Sequence, residues 1–276
     1  MPKAKEPLPG YNKPPVNEVV IGVQFDKLKK FTAVHPGLYW QRIKDRYPQC
    51  SFHPPIAPLK ETFESTRDLS VKKHLQLSST PPLPRCWFLD GSGNQLVQLQ
   101  PERFLHNWRK VTGKESYPRY NTILPEFERL WKDFLDFAAS ESLDEVKPNH
   151  WEVTYINHIY QGEVWTNFGD IHKLFPFFSS KTSLSNLQHP ERINLDLSYA
   201  FPDELSRLHI SINPAYNKES GKMLLQLNLT ARGRLENTEH ENLIGCLGLG
   251  HEWIVRGFTD FTSPEAHKLW ERKELT

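Results

Sequence analysis

The densest group of side chains with chemical potential lies at residues 103–120, where basic and aromatic residues alternate. The candidate binding residues are Arg103, Trp108, Arg109, Lys110, Tyr117, Arg119 and Tyr120. Cations that meet phosphates and rings that stack on bases are what a site for single-stranded nucleic acid or another anion requires. The alternative is that the rings anchor the core and the cations form a solvated rim, which the net charge of +1 favours. Arg232 and Arg234, at the end of a predicted strand, would extend this cluster.

His251 lies on the apolar stripe of a predicted helix, between Leu247 and Val255. A buried histidine in such a place serves either as a catalytic base or pH-sensitive group, or as a core residue satisfied by one hydrogen bond. The sequence leaves both interpretations open, and the second is the commoner one.

Two further histidines, His158 and His172, belong to the only other group rich in metal-capable side chains. The group is His150, Glu152, His158, Asp170 and His172. Its spacing lacks the short, fixed intervals by which metal sites are recognised in a sequence, so neither a metal nor a cofactor is predicted. The chain also lacks a nucleophile elbow, a phosphate-binding loop and paired carboxylates suited to acid–base catalysis. No catalytic residue is therefore assigned.

The elements that must position these residues follow a repeated order. In the first half, residues 19–25 alternate as a strand, residues 37–47 favour a short helix, and Arg85–Leu89 and Gln95–Gln100 form a hairpin around the turn residues 90–94. Arg103–Arg109 is a third strand or a short helix. A long helix follows from Thr122 to about Ala139, with Pro125 in its first turn.

The second half repeats this order. A strand around 153–159 precedes a short helical piece at 170–175, and three strands follow around 194–199, 208–213 and 223–229. Thr238 and Glu241 predict a capping box that opens a long helix to about Phe261. Ser263 and Pro264 predict the start of a last short helix.

The predicted fold is therefore α+β, with two tandem similar halves, each an antiparallel strand meander covered by one long helix. The boundaries are a flexible, proline-rich tail at 1–15, a first half at 16–147 and a second half at 148–276. A proline-bracketed stretch at 48–84 is predicted to be a long loop, and long loops in compact domains are often functional.

Composition indicates a folded protein of the cytoplasm. Aromatic residues make up 12% of the chain, which argues against disorder. The N-terminus lacks an apolar leader and no stretch approaches the length that spans a bilayer, so no membrane association is predicted. The three cysteines, Cys50, Cys86 and Cys246, lack a metal or redox spacing and are expected to be reduced.

Several segments together resemble a known family. PPVNEVVIGVQF, RCWFLDGSGNQLVQLQPERFLHNWRK with YPRY, WEVTYIN, and HEWIVRGFTDFTSPEAHKLW occur in this order. The set resembles a sporadically distributed bacterial protein family of unknown function, whose members have about this length. The resemblance covers nearly the whole chain and implies a bacterial protein, with a link to mobile or defence-related loci. It carries no activity, cofactor or site residue with it.

The sequence thus favours a non-catalytic accessory factor that binds another protein, with the tail and the 48–84 loop as contact surfaces. A nucleic-acid-binding module that uses residues 103–120 is the first alternative. An enzyme of unrecognised type that uses His158, His172 or His251 is the second.

Overall fold

A computed structural model describes residues 7–59, 61, 82–178, 190–217 and 220–273 of the chain. Within these residues the strands are β1 (Val16–Phe25), β2 (Gln49–His53), β3 (Arg85–Leu89), β4 (Gln95–Gln100), β5 (Arg103–Arg109), β6 (Pro148–Tyr160), β7 (Leu195–Ala200), β8 (Ser206–Tyr216) and β9 (Met223–Arg234). The helices are α1 (His35–Ile43), α2 (Tyr120–Ser140), α3 (Ile171–Leu174), α4 (His240–Phe261) and α5 (Pro264–Leu269), and a turn of 3₁₀ helix at Phe168–Asp170 precedes α3.

All nine strands belong to one antiparallel sheet in the order β2-β3-β4-β5-β1-β6-β9-β8-β7. The first strand of each half lies at its centre, where β1 pairs with β6 so that Ile21 lies opposite Val153. The predicted α+β class is confirmed. This central pair joins the strands of residues 16–147 and 148–276 into one continuous sheet.

The sheet has one face covered by helices and one face without them. Strand residues such as Phe25, Phe104 and Val153 point to the covered face, against which α2 and α4 pack. The opposite face, called the open face below, carries Gln24, Arg103 and the other residues that alternate with them. None of the helices in the described parts of the chain packs on the open face.

The two long helices approach the covered face differently. In the first half, Phe134 of α2 stacks on Phe104 of β5 at 5.3 Å between ring centroids, with Trp131 and Phe25 beside them. In the second half, α4 comes close to the sheet at glycines. A Cβ atom on Gly250 would lie 2.5 Å from Trp151, and one on Gly257 would lie 2.6 Å from Leu208. Gly245 and Gly248 of the same helix have open space around them, so the close approach is confined to Gly250 and Gly257.

Several predicted boundaries differ from the structure. Residues 103–109 form a strand, and α2 begins at Tyr120, which places Pro125 inside the helix and not in its first turn. The capping box predicted at Thr238 is wrong, because α4 begins at His240 with Glu239 as its N-cap and no capping side chain. The predicted cap at Ser263 is confirmed, since its Oγ accepts a hydrogen bond from the Ala266 amide.

The proline-rich segments are more ordered than predicted. Residues 49–53, assigned to the 48–84 loop, form edge strand β2, which pairs with β3. Residues 60 and 62–81 of that loop lie outside the described residues. Of the predicted flexible tail, residues 7–15 pack against the end of the chain: Tyr11 is buried, bonds Thr259 and bridges to Arg272. Tyrosine and its apolar neighbours here gain a buried surface that a free tail would not have.

Candidate functional site

A segment of the chain crosses the open face. After β2, residues 54–59 and Glu61, called the strap, run over the sheet and contact β4, β5, β1, β9 and β8 through hydrogen bonds. The strap therefore starts at the β2 edge in the first half and ends on strands of the second half. The residues it covers belong to the open face, which the helices leave uncovered.

The strap backbone is held by side-chain amides that act like a neighbouring strand. The Ile56 N–H donates to Gln100 Oε1 at 2.9 Å, and Gln100 Nε2 donates back to the Ile56 carbonyl at 3.1 Å. Gln24 pairs with Leu59 in the same two-way manner, at 2.9 and 3.0 Å. Both glutamines are buried, and each satisfies one peptide unit of the strap. Such contacts recognise an extended backbone and are indifferent to its side chains.

At its end the strap places a buried carboxylate among three cationic or cation-capable groups. Arg207 Nη1 donates to Glu61 Oε2 at 2.7 Å, His209 Nε2 lies 2.8 Å from Oε1, and Arg232 Nε also contacts Oε1. The Glu61 side chain is only 4% exposed. Charge-assisted hydrogen bonds of this kind are among the strongest in proteins. We call Arg207, His209 and Arg232 the anion cluster.

Strand alternation explains why these three residues meet. Arg207 and His209 are two apart on β8 and point to the open face, while Leu208 between them points to the core. Arg232 of β9 lies directly opposite Arg207 in the register. The electrostatics fit the geometry: burial alone would raise the pKa of Glu61, but the hydrogen bonds from His209, Arg232 and Arg207 lower that pKa to about 2.

A second group lies on the open face of the first half, around Trp87 of β3. The His53 ring stacks on the indole at 3.8 Å, and the guanidinium carbons of Arg85 and Arg109 lie 5.4 and 5.5 Å from the ring centroid. The indole N–H is buried and has no hydrogen-bond partner within the described part of the chain. An aromatic ring close to two guanidinium groups combines stacking with positive charge.

The sequence-predicted cluster at 103–120 does not form one surface. Arg103 and Arg109 point to the open face, where Arg103 is buried and donates to Gln24 and to the Ala57 carbonyl. Trp108 and Tyr120 point to the covered face and are buried. The alternation of a strand separates neighbours to opposite faces, so β5 cannot present its cations and its tryptophan together.

Part of that cluster is nevertheless assembled near the ends of β5 and β6, where it lines two neighbouring cavities. Lys110, Tyr117, Arg119 and His158 line one cavity of about 490 Å³. Tyr117, Arg119, Tyr120 and His251 line a second, more apolar cavity of about 350 Å³, called the helix-side pocket. Tyr117 and Arg119 border both. Tyr117 and Arg119, which the prediction grouped by their closeness in sequence, are thus also close together in the structure.

His251 takes part in a hydrogen-bond chain inside the helix-side pocket. The Tyr117 hydroxyl lies 2.8 Å from that of Tyr155, and the Tyr155 hydroxyl lies 3.0 Å from His251 Nδ1. The His251 ring also stacks on Tyr120 at 4.0 Å, with the two planes 6° apart. Burial lowers the pKa of His251 to about 4, so the imidazole is neutral at physiological pH. The sequence left two interpretations open for His251, a catalytic or pH-sensitive group and a core residue with one hydrogen bond. The structure shows a buried ring with one hydrogen bond, to Tyr155, and ring contacts with Tyr120 and Tyr155.

The other two histidines lie apart from it. His172 on α3 pairs through Nδ1 with the Gly169 carbonyl, and His158 sits at the end of β6 beside the cavity that Lys110 lines. Among the described residues, no three side chains of His, Cys, Asp or Glu are grouped closely enough to hold a metal ion. No helix in the described ranges has both the length and the apolar character to cross a membrane.

Sequence reasoning missed Glu61, Gln24, Gln100 and the pairing of Arg207 with His209. A signal existed for Arg207 and His209, because cationic residues at every second position between apolar residues mark the outward side of a strand. Glu61 had no local signal, since its partners are more than a hundred positions away.

No known protein-family model matches the chain, and a search of curated proteins finds no significant match either.

Proposed function

We propose that the protein is a non-catalytic binding factor whose open face receives an extended segment of a partner protein that carries a carboxylate at its end. The observation that carries this proposal is the strap, which lies on the face as such a ligand would. Gln24 and Gln100 recognise the backbone of the bound segment, and the anion cluster binds a carboxylate at the end of that segment. The strap is thus the built-in occupant, and the partner segment would replace it.

Two features of the face support a ligand-binding role over a purely structural one. The Glu61 carboxylate is buried, whereas Arg207, His209 and Arg232 keep about a quarter of their side-chain surface exposed to solvent. Burying an ionised carboxylate costs desolvation energy that its charged partners must offset, so a buried ion pair is weak evidence of a purely structural role. The occupying segment also follows a short edge strand and is rich in prolines, so its own secondary structure does not anchor it. A displaceable segment over a charged site suits exchange with a competing ligand.

The test uses the full chain and the octapeptide PPIAPLKE, which copies residues 54–61. In the wild type the strap occupies the face, and an intramolecular occupant lowers the apparent affinity for a competitor. The double variant Leu59→Pro with Glu61→Gln removes the Leu59 N–H donor and the carboxylate, which releases the strap. We expect the labelled peptide to bind this variant about tenfold or more tightly than the wild type, measured by fluorescence anisotropy.

The controls distinguish specific recognition of the peptide from non-specific binding. A peptide with Gln in place of Glu should lose most of this affinity, and adding Arg232→Gln to the released variant should do the same. Glu145→Gln, at an exposed ion pair with Lys147, should leave peptide binding at the wild-type level. Equal binding of both peptides to the released variant would refute the proposal.

A second candidate function, binding of single-stranded nucleic acid, is favoured by the group around Trp87. A base could stack where His53 stacks, and Arg85 and Arg109 would meet the phosphates. This function predicts oligonucleotide binding that weakens as salt rises and that Trp87→Ala with Arg109→Glu abolishes. Oligonucleotide binding that neither higher salt nor the double substitution weakens would exclude this surface.

We also propose that residues 16–147 and 148–276 are structurally related halves. In each half the first strand pairs with the last, as β1 does with β5 and β6 with β9, and a long helix follows that last strand. This order supports the predicted tandem arrangement. Superposition of the two halves on their central strands and long helices would test it.

We also propose that the chain belongs to the bacterial family that its sequence resembles. The resembling segments supply β1, β3–β5, β6 and α4–α5, which are the centre of the sheet and its second long helix. A cytoplasmic location fits three cysteines that are all unpaired.

A further inference from the structure

The helix-side pocket lies on the other side of the sheet from the strap and has features of a small-molecule site. Its volume of about 350 Å³ falls in the range of ligand pockets. Its walls come from the N-terminal segment at Leu8–Pro14, from the start of α2 and from Ile254, Val255 and Phe258 of α4. Most of this lining is apolar.

Few polar groups enter the pocket, and they converge. The Tyr117–Tyr155–His251 chain of hydrogen bonds runs along one wall. Burial raises the pKa of both tyrosines and lowers that of His251, so all three groups are neutral at physiological pH. The wall therefore offers hydrogen-bond donors and acceptors without a formal charge.

Arg119 supplies the positive charge. Its guanidinium carbon lies 5.5 Å from the Tyr117 ring centroid, and it forms no salt bridge with any described carboxylate. Arginine is the side chain best suited to bind a carboxylate through two parallel hydrogen bonds. A cation at the mouth of an apolar pocket, with no acid of its own, complements a ligand with one negative end.

The backbone at Arg119 is strained. Its φ of 75° and ψ of 155° belong to a region that glycine adopts readily and other residues avoid. A glycine here would remove the strain, but it would also remove the guanidinium. Strain of this kind collects at ligand-binding positions, and this residue lines both cavities.

We propose that the helix-side pocket binds a small aromatic carboxylate, with the carboxylate on Arg119 and the ring between the tyrosines and the apolar side chains of α4. The site is separate from the open face and does not depend on the function proposed for it.

The test is calorimetric titration of the full chain with 2-naphthoate and with the uncharged 2-naphthalenemethanol. We expect the carboxylate to bind more tightly than the alcohol. Arg119→Gln should weaken naphthoate binding about tenfold or more and leave the alcohol unchanged, while Arg119→Lys should retain part of the preference for the carboxylate. Ile254→Trp should fill the pocket and abolish binding of both compounds.

Several outcomes would overturn the proposal: no naphthoate binding to the wild type at millimolar concentration, equal affinity for both compounds, or an Arg119→Gln variant that binds like the wild type. Circular dichroism checks that each variant is folded, and Val255→Phe replaces Ile254→Trp if that variant does not fold. The strap-releasing variant of the open face should bind naphthoate normally, so failure of one proposal leaves the other intact.

Discussion

The covered and the open face of the sheet use the same nine strands for opposite purposes. On the covered face, buried rings such as Phe104 and Phe134 pack without polar partners. On the open face, buried and half-buried polar side chains pair with one another: Arg85 donates to Gln98, Gln98 to Asn107, and Asn107 to Glu18, in a line across four strands. The covered face derives its stability from apolar area, whereas the open face depends on hydrogen bonds between polar side chains.

The difference matters for function. A core of apolar rings tolerates no exchange of partners, because removing one element exposes all of its surface to water. A polar face that is satisfied by a strap can be satisfied equally by another chain with the same donors and acceptors. The open face is therefore the side of the molecule on which we expect binding to macromolecules.

Phe104→Ala should produce the largest effect. The ring is fully buried and contacts Phe134 and Trp131 on α2, so its loss should lower the free energy of unfolding by about 3–5 kcal/mol. Thr230→Ala on the open face loses one hydrogen bond to Thr154 and should cost about 1 kcal/mol or less. Urea unfolding measures both, and equal losses would contradict the contrast between the faces.

Glu61→Gln should produce the next largest effect. It leaves two arginines and His209 facing a neutral amide, and the loss of charged hydrogen bonds should cost about 1.5–3 kcal/mol in urea unfolding. Glu145→Gln, at an exposed ion pair, should change stability by about 0.5 kcal/mol or less. A Glu61 variant as stable as the wild type would mean that the strap is already loose.

Two glycines of α4 should respond with opposite signs to the same substitution. Gly250→Ala places a methyl group against Trp151 and should destabilise by about 1–3 kcal/mol. Gly248→Ala meets open space in the same helix and should stabilise by about 0.5–1 kcal/mol. Thermal unfolding of the pair reports the close approach of the helix directly, and shifts of the same sign would refute it.

Acid should affect His251 and Glu61 in different pH windows. The folded pKa of His251 is depressed from 6.5 to about 4, so the unfolded state binds the extra proton and stability falls as the pH drops through this interval. The folded pKa of Glu61 is depressed from 4.5 to about 2, so its contribution is present above 4.5 and is lost below. His251→Phe should reduce the first slope and Glu61→Gln the second, as measured by unfolding at each pH, and the other histidines with lowered pKa values, such as His106, should account for the rest of the first slope.

The sequence predicted the elements whose signals are local. Alternation identified β1, β8 and β9, the glycine-rich turn at 90–94 joined a hairpin, and Ser263 capped α5 as expected. It missed β2, because prolines on both sides and polar residues within it give no strand pattern. It placed the start of α4 wrongly, because a Thr–Glu spacing alone does not fix where the helical hydrogen bonds begin.

The site was less accessible to prediction, for a physical reason. Arg103 and Trp108 were grouped by closeness in sequence, but a strand sends residues an odd number of positions apart to opposite faces. The strap depends on contacts between Glu61 and residues 207–232, and nothing near Glu61 marks it as a buried carboxylate. Long-range electrostatics of this kind become visible only once the sheet is assembled.

The central pairing of β1 with β6 has a consequence for biosynthesis. β1 is apolar and is synthesised before β6, yet residues 148–157 of β6 occupy its second hydrogen-bonding edge. Until those residues have been synthesised, a nascent first half would carry an unpaired, aliphatic edge in a crowded cell. We expect that interval to be the moment at which a chaperone is most needed, and truncation before residue 148 to yield aggregates.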